Sequence, residues 1–105
     1  MLKEGVDIAG IRPEILFVNQ VAAPIFAEHK SDLVITSYTD GIHKQFSRHY
    51  VGCAVDYRIW YLDEIDRLGV VQKLQEALGS GYYVRLEKDH IHVSYKPQRG
   101  GDDEG

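Results

Sequence analysis

The feature that most restricts this chain is the hexapeptide His90-Ile91-His92-Val93-Ser94-Tyr95, in which polar and apolar side chains strictly alternate. A period of two is the signature of a strand with one face in the core, and it puts His90, His92 and Ser94 on one side and Ile91, Val93 and Tyr95 on the other. A second run, Ala54 to Trp60, has the same character: Ala54, Asp56 and Arg58 share one face, while Val55, Tyr57 and Ile59 share the opposite one. Two strands of this kind require a sheet whose apolar face is covered by other elements. The uncovered face would carry an aspartate and two histidines, groups that an ordinary core excludes.

The covering elements are legible nearby. Pro13-Glu14 followed by Ile15, Val18, Ala22 and Ile25 has helical spacing, with proline suited to a first turn and Leu16 and Phe26 widening the apolar face. Pro24 interrupts this pattern, because within a helix it deletes a hydrogen bond, and a kink or restart is expected there. Asp63 has the character of an N-cap, with Asp66 three residues on. Ile65, Leu68, Val71, Leu74 and Leu78 then form the expected buried stripe. Gly69 weakens this second helix, and Gly79-Ser80-Gly81 ends it. Leu33 to Ser37 is rich in β-branched residues and reads as a strand. Tyr82–Leu86 and Ile91–Tyr95 read as an antiparallel pair joined near Glu87-Lys88-Asp89. The stretch from 38 to 53 reads as a long loop of the kind that carries function. The expected fold class is α+β, a small, mainly antiparallel sheet with helices on one face.

A length of 105 residues implies one domain, and 44% hydrophobic content is enough for a core. Residues 1–96 would form that domain, with 97–105 a loose, acidic tail. Twelve basic against sixteen acidic residues give a net charge of −4, with no basic block, which disfavours a nucleic-acid partner. The one cysteine, Cys53, excludes an internal disulfide and reads as a small buried hydrophobe. No apolar run approaches the roughly 18 residues of a membrane span or forms a signal peptide, so the expectation is a protein made in the cytoplasm without membrane insertion.

Two histidines and a carboxylate suffice for a catalytic zinc site that leaves a fourth position for water, and the same set also suits non-haem iron. The expected metal ligands are His49, Asp56 and His92, because alternation aims Asp56 and His92 the same way and the loop can fold His49 over them. Zinc lowers the pKa of water toward ~7 and polarises a carbonyl. A carboxylate must then move the water's proton to the leaving amine. Asp89, three residues before His92, is the expected acid/base, with Glu87 the alternative if the hairpin register shifts. His90, on the face of His92, is expected to act as a catalytic donor to the oxyanion. Tyr38, Tyr50 and Tyr61 are candidates to line a groove. His29 and His43 read most simply as ordinary surface histidines.

Ser47-Arg48-His49-Tyr50-Val51-Gly52-Cys53-Ala54-Val55-Asp56 resembles the S-x-H-x-x-G-x-A-x-D motif of the zinc D-Ala-D-Ala carboxypeptidases and phage L-alanyl-D-glutamate endolysins. Asp89-His90-Ile91-His92 resembles that family's second motif, and the resemblance spans roughly residues 5 to 95. It implies a hedgehog/DD-peptidase-like fold, zinc held by His49, Asp56 and His92, and Asp89 as acid/base. It also implies hydrolysis of a peptide bond in bacterial peptidoglycan stem peptides, with synthesis in a bacterial host and release to the wall by a separate route. Ser47 would position substrate or brace the loop. Many members carry an arginine before the first motif. Here that region reads Gly41-Ile42-His43-Lys44-Gln45-Phe46, so His43, Lys44 or Arg48 is expected to bind substrate instead. The alternative is a non-catalytic, zinc-containing wall-binding or structural module.

Overall fold

The structure, a computed structural model, describes residues 2–3, 11–38 and 54–95. The element order is α1 (Pro13–Glu28), β1 (Ile35–Tyr38), β2 (Ala54–Arg58), α2 (Glu64–Leu78), β3 (Tyr82–Leu86) and β4 (His90–Tyr95). The four strands form one antiparallel sheet in the order β1-β2-β4-β3. The expected α+β layout is therefore correct. The hairpin strand β4 enters the sheet between its own partner β3 and the earlier strand β2, and this brings the two alternating runs side by side.

The core lies between one sheet face and the two helices. Val55, Tyr57, Ile91 and Val93 from the sheet meet Ile15, Val18, Ala22 and Phe26 from α1 and Val70 and Leu74 from α2, all at most 1% exposed. Phe26 and Tyr57 pack edge to face at 5.6 Å between ring centroids. The Tyr57 hydroxyl donates to Asn19 Oδ1 at 2.5 Å, and Asn19 Nδ2 donates onward to the Tyr38 hydroxyl at 2.8 Å. Tyr38 is thus a core residue, 7% exposed, and not part of a groove. Its burial together with Ile35, three positions earlier, would be impossible in a regular strand. A bulge between Ile35 and Ser37 shifts the register and turns both side chains inward.

The helices depart from expectation in their faces. Helix α1 runs unbroken through Pro24, which lies on its exposed side. Phe26, not Ile25, completes its fully buried stripe, and Leu16 is 48% exposed. In α2 the capping aspartate is as expected, Asp63 Oδ1 accepting from the Asp66 N–H at 2.8 Å. Its buried face is set by Val70 and Leu74, however, and Ile65 and Leu68 are 81% and 63% exposed. The buried stripe of α2 thus begins at Val70, later than its apolar periodicity suggests. Gly79 ends the helix at φ 89°, a conformation that glycine adopts without the strain a Cβ brings. Gln75 then closes the outer edge of the sheet by accepting from the Val84 N–H at 3.1 Å and donating to the Tyr82 carbonyl at 2.9 Å. No helix among the described residues is long and apolar enough to cross a membrane.

Candidate metal centre

The sheet register builds the site. Asp56 on β2 lies directly opposite His92 on β4, and Arg58 lies opposite His90. Directly opposed residues share a face with their Cβ atoms about 5 Å apart. The apolar neighbours Val55, Tyr57, Ile91 and Val93 point into the core, so the pleat sends Asp56, His90 and His92 to the other face. Asp56 Oδ1 lies 2.7 Å from His92 Nδ1, and Asp56 Oδ2 lies 3.7 Å from His90 Nε2. The Asp89 carboxylate, at the turn before β4, lies 2.7 Å from His90 Nδ1. That contact fixes the ring so that Nε2 faces Asp56.

One donor atom from each of Asp56, His90 and His92 falls within 4.8 Å of the others, so this group could hold a metal ion. The donor set fits that task. Asp56 is 6% exposed, and a buried carboxylate is costly unless it is paired or coordinates a cation. With ligand bonds of about 2.0–2.1 Å, tetrahedral zinc holds its donors about 3.3 Å apart. The 3.7 Å separation from His90 is close to that value, and the 2.7 Å separation from His92 requires the pair to open by roughly half an ångström. Histidine ligands in metal sites commonly pass their second ring nitrogen to a carboxylate, which is the relation of His90 to Asp89.

Alternation and pairing thus unite the expected Asp56 and His92. His90, expected as a catalytic donor to the substrate, has the reach of a metal ligand. The signal for this was present in the His-x-His pattern, because equal parity in a strand makes the two rings neighbours. Asp89 is at the site but exposed, its side chain 83% accessible. The hydrogen bond from His90 holds its carboxyl below the ordinary carboxylate range, so it is ionised at neutral pH. Glu87 is engaged with Arg85 at 3.2 Å. His43, Lys44, Ser47, Arg48 and His49 lie outside the described residues, as do Tyr50, Cys53 and the tail 97–105. His29, read as an ordinary histidine, instead joins the helices: its Nδ1 is 2.7 Å from Asp66 Oδ1 and its Nε2 is 3.4 Å from Lys73 Nζ.

Comparison of the chain with protein-family models, with curated proteins and with solved structures gives no match.

Proposed function

We propose that the protein is a zinc-dependent peptidase that hydrolyses a peptide bond in bacterial peptidoglycan stem peptides. The observation that carries the reading is the convergence of Asp56, His90 and His92 donor atoms on one sheet face, beside an ionised carboxylate at Asp89. The two motifs around His49–Asp56 and Asp89–His92 supply the substrate class by resemblance. Zinc held there supplies an activated water near neutral pH and polarises the scissile carbonyl. The chain's own part is positional and protonic. Asp56 and His92, fixed by their backbone pairing, present donors from a rigid sheet, which is a more accurate platform than a loop. Asp89 accepts a proton from the attacking water and delivers it to the leaving amine. Three protein donors leave a coordination position for the reacting oxygen, whereas a purely structural zinc site is closed by a fourth. The substrate lies beyond the cytoplasmic membrane, so the reading requires a route across it.

The test is metal analysis followed by mass spectrometry of defined stem peptides. The expected result is about one zinc per chain and a single cleaved bond. Asp56→Ala should weaken zinc binding by at least about 100-fold, whereas Asp89→Ala should retain zinc and lose at least about 100-fold in kcat. Zinc-loaded protein that leaves every stem peptide intact would refute the peptidase and favour a non-catalytic wall-binding module.

A further inference from the structure

We propose that a second copy of this chain docks on the apolar surface formed by Trp60, Tyr61, Ile65 and Leu68, giving a two-fold symmetric dimer. These four side chains are 66%, 64%, 81% and 63% exposed. Local structure gathers them into one patch. Ile65 and Leu68 are three apart on α2 and therefore share a face of the helix. The turn that carries Trp60 and Tyr61 is closed by the Leu62 N–H, which donates to the Ile59 carbonyl at 3.1 Å. Arg67 ties that turn to α2, donating from Nε to the Leu62 carbonyl at 2.8 Å and from Nη2 to the Ile59 carbonyl at 3.4 Å. Ile59 and Leu62 enter the core from this turn, and the aromatic pair between them faces out. Further along the exposed side of α2 the surface becomes polar, with Gln72 and Glu76 bonded to each other at 3.3 Å.

Two observations fix the occupant. The first is area. With the usual side-chain areas at these exposures, the patch offers on the order of 400 Å² of apolar surface. One side of a standard protein–protein interface is about 800 Å², a little over half of it apolar, so the patch supplies most of that apolar share. The second is charge. Arg58 lies at the Trp60 end, its guanidinium carbon 3.7 Å from the ring centroid. Glu64 lies at the Leu68 end, four residues before it on α2 and so beside it. In an isologous contact residue i meets j and j meets i, so a two-fold axis through the patch sets each Arg58 end on the other copy's Glu64 end. The patch is thus complementary to itself in charge as well as in apolar character. A bilayer is a poorer match, because the net charge is −4 and Asp63, Glu64 and Asp66 cluster at the start of α2, where they oppose anionic lipid.

Trp60 is the single tryptophan of the chain, so its emission reports on the patch without a label. In sedimentation velocity from about 1 µM to about 1 mM, the full chain should pass from monomer to dimer with a Kd on the order of 10–100 µM. Trp60 emission should move to shorter wavelength over the same range. Ile65→Gln combined with Leu68→Gln should weaken association at least about tenfold and leave the far-UV circular dichroism of the monomer unchanged. Arg58→Glu alone and Glu64→Arg alone should each weaken self-association about tenfold, and an equimolar mixture of the two variants should recover it, because every mixed contact then pairs opposite charges. None of these readouts requires bound metal or turnover. A monomer at every concentration, wild-type association in the double glutamine variant, or no recovery in the mixture would overturn the proposal. A monomer whose Trp60 emission shifts only when phosphatidylcholine vesicles are added would overturn it in favour of a lipid surface.

Discussion

At the scale of single residues, two polar features face opposite sides of the same strand. Asp56 faces the donor group, and Tyr57, the next residue, faces the core, where its hydroxyl bonds to Asn19. Burial raises the Tyr57 phenol well above its ordinary pKa of 10.0. The sign follows directly. The protonated form is favoured in the fold, so its contribution is whole below about pH 10 and declines as the pH rises above it. Urea unfolding of wild type should therefore show stability falling above about pH 10, with a shallower fall in Tyr57→Phe. At neutral pH that substitution leaves Asn19 Oδ1 without its donor and should cost about 1–2 kcal/mol. Of these residues, Asp56 and His92 were each legible as lying on the polar face of a strand, because parity is a local property. The Asn19–Tyr57 bond was not, since it joins residues 38 positions apart and no local pattern encodes it.

At the scale of elements, α2 tests how far periodicity reaches. Its cap is local and was readable: Asp63→Ala should lower stability by about 1 kcal/mol, read from the thermal midpoint. Its face was not. Ile65 and Leu68 fit a helical stripe with Leu74, yet they are exposed, because which arc of a helix is buried depends on where it sits over the sheet. Gly69 shows the same division. From sequence it is only a weakness in the helix. In the fold, a Cβ added there would lie 3.5 Å from His29 Cε1, an ordinary contact. Gly69→Ala should therefore stabilise the protein by about 0.5–1 kcal/mol through helix propensity alone, with the His29–Asp66 contact preserved. A loss of stability in thermal unfolding would show that the helices cannot accept the methyl group.

At the scale of the whole molecule, the core and the donor group lie on opposite faces of one sheet. Val55, Tyr57, Ile91 and Val93 carry the packing, and none of them is a candidate ligand. Chelation should accordingly leave the far-UV circular dichroism unchanged. Zinc at about 1,000 times its Kd should raise stability by about 4 kcal/mol, and Asp56→Asn should abolish that rise. Unfolding on chelation would mean instead that the metal is part of the core.

The α+β class, the strand parities, the Asp63 cap and the stop at Gly79 follow from the chain itself, because each depends on backbone geometry within a few residues. The order β1-β2-β4-β3 does not, and neither does the pairing that sets Asp56 across from His92. Those depend on which strand edges meet, and where the β3–β4 hairpin docks through β4 on the edge of β2 the choice is made by burial of apolar faces over long loop closures. Local periodicity specifies which way a side chain points but carries no information about what stands across from it.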